Sequence, residues 1–137
     1  MPNDDTIFLK TSVDVLSFFN EDQLRRVTPD IERKTYAKGE TVLFRGEITN
    51  GLYVIKKGKV ELINKGKTGE PARHELVGGD FFGEMSVLEE IASISSVRAS
   101  ADGTEVLTIP HGSFGKLLEM QPLLKKALLD KVAQRKK

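Results

Sequence analysis

The chain has 137 residues, with 21 basic and 20 acidic side chains, so its formal net charge is only +1. This length fits one domain, and the balanced charge gives no electrostatic reason to expect a nucleic-acid partner. The absence of cysteine excludes disulfides and thiolate metal sites. No apolar run approaches the length of a membrane span, and the N-terminus lacks a signal-peptide core, so we expect a cytoplasmic protein.

The first part of the chain predicts helices over residues 12–28. Ser12 is placed to cap a first helix, and Asn20 is placed to cap a second one. Gln23 stands three residues after Asn20, which is the spacing of a capping box. Pro29 lies near the end of this second helix, which we therefore expect to be short.

From residue 31 to residue 110 the pattern changes to that of short strands. Seven runs rich in β-branched and aromatic residues follow one another, and glycines separate many of them. Such runs predict a mainly β fold with flanking helices, an antiparallel jelly-roll-like β-roll. Strands do not alternate with long helical segments here, so a doubly wound nucleotide-binding fold is not expected.

The last part predicts helices over residues 113–135, and we expect one domain over residues 1–137. Ser113 is placed to cap one helix, and Pro122 is placed in the first turn of another. The final helix carries an apolar face formed by Leu124, Leu128 and Val132. This face can pack in the core, form half of a dimer seam or cover a ligand, and its spacing does not separate these roles. Because the helix is terminal and lysine-rich, we also expect it to be mobile relative to the roll.

Widely spaced glycines and a Gly-Glu motif stand in the segments YAKGETVLFRGEITNGLYVIKKGKVELI and ELVGGDFFGEMSVL. In combination they resemble the cyclic nucleotide-binding domain family, which includes regulatory subunits of cyclic-AMP-dependent kinase, catabolite-activator-type regulators and nucleotide-gated channels. The resemblance covers roughly residues 13–132. It implies a regulatory, ligand-sensing module with cyclic AMP, cyclic GMP or another small molecule as candidate ligand. An unknown protein effector and a possible homodimer through the C-terminal helix are the other implied partners.

In that family a cassette between two strands holds the cyclic phosphate and the ribose of the ligand. Gly83 allows the backbone to come close to a ligand, and a helical turn after Glu84 would present unpaired N–H groups to an anion. By resemblance, Glu84 takes the ribose-binding role, and Met85 and Ser86 supply main-chain donors. An acid at position 84 is also what the helix dipole alone would favour.

The family pattern continues with Pro-Arg, two small residues, then Thr or Ser and Val, and its arginine pairs with the phosphate. Alignment on Val97 places Ser96 on the Thr/Ser position, Ser95 and Ile94 on the small residues, and Ser93 on the arginine. Loss of one member of a buried ion pair costs about 3–5 kcal/mol. We therefore expect weak or lost cyclic nucleotide binding. The alternative is a non-catalytic interaction or dimerisation domain that no longer binds nucleotide.

Other residues offer little replacement for the missing charge. Arg98 is the nearest cation and is expected to be a cross-strand surface partner of a glutamate, while Arg73 and His74 are expected to face solvent. An enzyme on a cupin-like roll would need clustered histidines, but His74 and His111 are far apart in sequence, so no enzyme is expected. Few residues follow Val132, so we expect no helix-turn-helix DNA-binding domain in this chain, which is either a stand-alone module or a piece of a larger protein.

Overall fold

A computed structural model describes residues 4–48, 51–65, 71–84 and 96–135. Helices precede and follow the strands: α1 (Asp4–Ser12), α2 (Glu21–Arg25), α3 (His111–Met120) and α4 (Leu123–Arg135). The strands of the described ranges are β1 (Glu32–Tyr36), β2 (Thr41–Leu43), β3 (Gly51–Lys57), β4 (Lys59–Lys65), β5 (Pro71–Val77), β6 (Phe81–Phe82), β7 (Ser96–Ala99) and β8 (Thr104–Pro110). No helix in these ranges is long and apolar enough to cross a membrane.

The strands form two four-stranded sheets. Sheet one has the order β1-β8-β3-β6, sheet two has the order β2-β7-β4-β5, and the neighbouring strands run antiparallel. Strands that are consecutive in the chain, such as β1 and β2 or β6 and β7, lie in different sheets, so the chain crosses between the sheets several times. The antiparallel β-roll expected from the sequence is confirmed.

Sheet one separates two hydrophobic clusters because its side chains alternate between its faces. Leu52, Val54 and Leu107 face the helices and pack with residues such as Leu9 and Phe114. The opposite face packs against sheet two. Every strand contributes to this second cluster, here called the roll interior, through Tyr36, Leu43, Ile55, Val60, Leu76, Phe82, Val97, Ala99 and Val106.

The glycines that carried the family resemblance occupy turns with positive φ, namely Gly39, Gly46, Gly58, Gly79 and Gly83. Two of them are also packed too closely for any side chain. A Cβ at Gly58 would lie 2.5 Å from the Thr104 hydroxyl oxygen, and a Cβ at Gly79 would lie 2.5 Å from the carbonyl oxygen of Ser12. At these two positions both the backbone angle and the contact require glycine.

The N-terminal helices differ from the sequence prediction in where they begin. The prediction missed α1, and Ser12 is the last residue of that helix rather than the cap of the next. Residues 14–16 form one 3-10 turn instead of a longer helix. The capping box is confirmed: the N–H of Gln23 donates to the Asn20 side chain at 2.8 Å, and the N–H of Asn20 donates to the Gln23 side chain at 3.0 Å.

The C-terminal helices also begin elsewhere than predicted. Helix α3 begins at His111, so Ser113 lies inside it and its hydroxyl contacts the Asp30 carboxylate at 3.1 Å instead of capping the helix. Leu124 and Leu128 of α4 are 0% exposed in the helix-side core. The apolar face of α4 is thus covered by the chain itself, which favours core packing over the lid and dimer-seam roles and argues against the expected mobility.

Candidate functional site

The cassette segment joins the two sheets. It leaves β6, the edge strand of sheet one, at Gly83 and enters β7, an inner strand of sheet two, at Ser96. Five of the predicted site residues lie between these points, outside the described residues: Met85, Ser86, Ser93, Ile94 and Ser95. The described structure therefore fixes both ends of the cassette.

The first end is anchored by an aromatic pair. Phe82 is 1% exposed, and its ring stacks on that of Tyr53 with centroids 5.0 Å apart. Phe81 and Phe82 form a two-residue strand against β3, which the strand pattern of the sequence did not predict. Gly83 follows with φ +79°, and the half-buried Glu84 has helical backbone conformation. Both predicted residues thus sit directly beyond a buried, stacked ring.

At the second end of the cassette, the predicted site residue points away from the roll interior. Val97 and Ala99 are buried in that interior, so Ser96 and Arg98 point to the outer face of sheet two. The backbone N–H of Arg45 donates to the Ser96 hydroxyl at 3.2 Å. Arg98 is paired in register with Glu61, which is the cross-strand placement that the sequence predicted. Arg98 is therefore on the wrong face to neutralise an anion inside the roll.

His74 is exposed, as the sequence predicted, but it lies on the inner face of sheet two. It is paired with Leu62, which is paired on its other side with Val97, and Leu62 packs against the roll interior. The His74 side chain is exposed, yet it points to the same face as these two residues. Arg73 points the other way and forms an ion pair with Glu61 at 3.2 Å. Buried Leu76, two residues after His74, is the sequence signal that indicated this placement.

Two rows of side chains on the inner faces of the sheets begin next to the two described ends of the cassette. On sheet one the row is formed by Tyr53 and Phe82, which are paired in register. On sheet two it is formed by Val97, Leu62 and His74. Burial raises the pKa of Tyr53, and the negative charges of Glu47 and Glu32 raise it further, so its hydroxyl stays a neutral hydrogen-bond donor near neutral pH.

Comparison with known proteins matches this geometry to one family. The family model described as "Cyclic nucleotide-binding domain" matches residues 33–121. The chain belongs to the cyclic nucleotide-binding domain family. The matched range contains β1 except for its first residue, the seven other strands named above and the whole cassette segment.

Among its relatives in this family is the cGMP-dependent protein kinase egl-4 of Caenorhabditis elegans, 32% identical over 88% of this chain but only 16% of the kinase. The catabolite activator protein of Thermus thermophilus has a similar structure, with a TM-score of 0.75 and 26% identity over 88% of this chain and 57% of that one. The regulatory domain of Toxoplasma gondii PKA, crystallised with cAMP, shares the fold with a TM-score of 0.81 and 22% identity, over 94% of this chain and 48% of that one. The chain thus spans only part of these longer proteins.

Proposed function

We propose that this chain is a non-catalytic regulatory module that binds a cyclic nucleotide weakly beneath the cassette. The observation that carries the proposal is that residues 83–96 connect Phe82 of sheet one to Val97 of sheet two, both of which belong to the roll interior. Relatives and structural neighbours are named for cGMP dependence or were crystallised with cAMP, and either nucleotide is a candidate ligand for this chain.

The proposed roles follow the order of the cassette. Gly83 lets the backbone approach the ligand, Glu84 accepts a hydrogen bond from a ribose hydroxyl, and Met85 and Ser86 donate main-chain hydrogen bonds. From sheet two, Leu62 and His74 face the same space and are placed to contact the part of the ligand that lies farthest from the cassette.

The proposed weakness of binding rests on position 93, where the family pattern has arginine and this chain has serine. A serine hydroxyl can donate one neutral hydrogen bond, whereas an arginine pairs two oxygens of a phosphate and neutralises them. The loss of such a partner corresponds to about 3–5 kcal/mol, or roughly 10²- to 10³-fold in affinity. Arg98 does not compensate, because it points to the outer face of sheet two.

The test restores the charge in the native chain. We expect Ser93→Arg to bind cyclic AMP or cyclic GMP at least about tenfold more tightly than the native chain, since part of the ion-pair energy is recovered. Calorimetry at fixed salt measures both dissociation constants. Ser17→Arg is the matched control, because it adds the same charge on an exposed N-terminal segment and should leave affinity unchanged.

A second substitution tests the ribose contact in the arginine variant. Adding Glu84→Ala should weaken binding by about 1–3 kcal/mol, the scale of one hydrogen-bond partner to a charged group. Tight native binding would show that another group neutralises the phosphate, against the proposed role of position 93. If Ser93→Arg gains no affinity for either nucleotide, the missing charge at position 93 is not what prevents binding. The interaction-domain alternative then replaces this proposal.

A further inference from the structure

A groove of about 590 Å³ opens beside the roll interior. Its lining residues come from β1, β2, β3 and β8: Glu32, Arg33, Lys34, Tyr36, Val42, Tyr53 and Thr108. Both tyrosines of the chain are among them. The volume lies within the range of about 300–1,000 Å³ that is usual for small-molecule sites, so the groove can hold a ligand of modest size.

The groove already holds a cation over an aromatic ring. Lys34 and Tyr36 are two residues apart on β1, so their side chains lie on the same face. The Lys34 ammonium nitrogen lies 5.1 Å from the centroid of the Tyr36 ring, within the range of a cation–π interaction. Tyr36 is 8% exposed and packs in the roll interior, which holds its ring in place.

The charges around the two phenols are mainly negative. Burial raises the pKa of Tyr36 and of Tyr53; the neighbouring Tyr53 phenol and then the negative charge of Glu40 add to this at Tyr36, and the charges of Glu47 and Glu32 add to it at Tyr53. Arg33 contributes little positive field to the groove, because it is paired with the carboxylates of Asp5 and Glu105 on the other face of sheet one. Lys34 is the cation of the lining that remains to balance the glutamates.

We propose that this groove is a binding site for a small organic cation with an alkylammonium head, seated over the tyrosine rings where the Lys34 ammonium now lies. Aromatic faces and nearby carboxylates both favour such a cation, and the aromatic face binds a diffuse ammonium without requiring a hydrogen-bond acceptor at one fixed point. A cyclic nucleotide is an anion, which the same glutamates repel. The groove is therefore distinct in its ligand chemistry from the site beneath the cassette.

Tyr53 connects the two sites. It lines the groove, and its ring stacks on Phe82, the residue immediately before Gly83 of the cassette. A ligand that moves the Tyr53 ring therefore acts on the ring that anchors the first end of the cassette. Binding of a second small molecule in the groove is thus placed to change the nucleotide site through Tyr53 and Phe82.

The composition of the chain gives a selective assay for this groove. Because the sequence has two tyrosines and no tryptophan, labelling tyrosine rings with ¹³C gives NMR signals from Tyr36 and Tyr53 alone. The probe is choline, and its control is 3,3-dimethylbutan-1-ol, which has the same shape without the charge. We expect choline to shift both ring signals saturably and to bind about two- to thirtyfold more tightly than the neutral analogue.

Substitutions at two exposed residues test the proposed cation-binding position in the groove. Lys34→Gln removes the competing ammonium and should tighten choline binding about two- to fivefold, and Glu32→Gln should weaken it by a similar factor. Lys125→Gln, on the exposed side of α4, removes the same charge as Lys34→Gln far from the groove and should change nothing. Equal binding of choline and its neutral analogue, no saturable shift, or weaker binding to Lys34→Gln would each overturn the proposal. None of these measurements requires nucleotide, so their outcome is independent of the function proposed for the cassette.

Discussion

Replacing the buried carboxylate of Asp5 by an amide should destabilise the fold without removing its volume. The Asp5 side chain is 6% exposed; it accepts a hydrogen bond from the Lys56 ammonium at 2.8 Å and another from the Arg33 guanidinium. Hydrogen bonds to charged groups are worth about 1.5–3 kcal/mol each, but Arg33 is 48% exposed, and solvent screens its share. We therefore expect Asp5→Asn to lower the free energy of unfolding by about 2–3 kcal/mol in total.

Urea and thermal unfolding measure this difference. Each kcal/mol corresponds to roughly 3–5 °C for a chain of this size, so the midpoint should fall by about 6–15 °C. Asp14→Asn is the matched control, because the Asp14 side chain is 83% exposed and its ion pair with Lys131 lies on the surface. If both variants lost the same small amount, Asp5 would not be holding α1 to the sheet.

The same carboxylate makes stability depend on pH. Burial alone would raise the pKa of Asp5, but hydrogen bonds from Lys56 and Arg33, together with their positive charges, hold it below its ordinary value of 3.8. A carboxylate with a lowered folded pKa stabilises the fold above its unfolded pKa, and this contribution is lost as pH falls through the folded pKa. The deficit of Asp5→Asn should thus be constant from about pH 7 to 5 and shrink below roughly pH 4.

Three further substitutions follow from contacts of the fold. Gly58→Ala should cost more than about 2 kcal/mol in urea unfolding, because φ is +89° and the new Cβ would lie 2.7 Å from the Cα of Thr104; a loss below about 0.5 kcal/mol would contradict the strain. Leu128→Ala should cost about 2–5 kcal/mol, and the amides of α4 should exchange as slowly as strand amides, since Leu128 is 0% exposed. Rapid exchange throughout α4 would show instead that it is undocked. Ser113→Ala should cost about 1 kcal/mol by removing the contact with Asp30, and an unchanged thermal midpoint would count against that contact.

The parts of the fold that the sequence predicted correctly carry strong local signals. The glycines with positive φ stand where no other residue fits cheaply, and the capping box at Asn20 is formed by residues three apart, so neither depends on the rest of the chain. The strand runs were visible because one or both of their faces are apolar. These features are determined within a few residues, which is why one sequence is enough to find them.

The missed elements depend on contacts between distant residues. Helix α1 is held by Asp5 binding to β1 and β3, and by a buried hydroxyl contact of 2.9 Å between Thr6 and Thr28. Strand β6 has two residues, too few to show any period, and exists because it pairs with Tyr53 and Val54 of β3. For the site, period-two alternation places the exposed His74 on the inner face of sheet two and Arg98 on its outer face, but the phase depends on which neighbours are buried, here Leu76 and Val97.

The close approach of Gly79 to the end of α1 has a mechanical consequence. The turn that contains Gly79 is tied to Ile55, since the N–H of Gly79 donates to the Ile55 carbonyl at 2.8 Å and the Ile55 N–H donates to the Asp80 carbonyl at 2.9 Å. On its other side there is not even room for a methyl group before the carbonyl of Ser12. The contact with Ser12 therefore resists movement of this turn toward the end of α1, while the bonds of Asp5 to Lys56 and Arg33 hold α1 to the sheet in the opposite direction. The N-terminal helix is thus coupled in both directions to the turn that leads into β6 and the cassette.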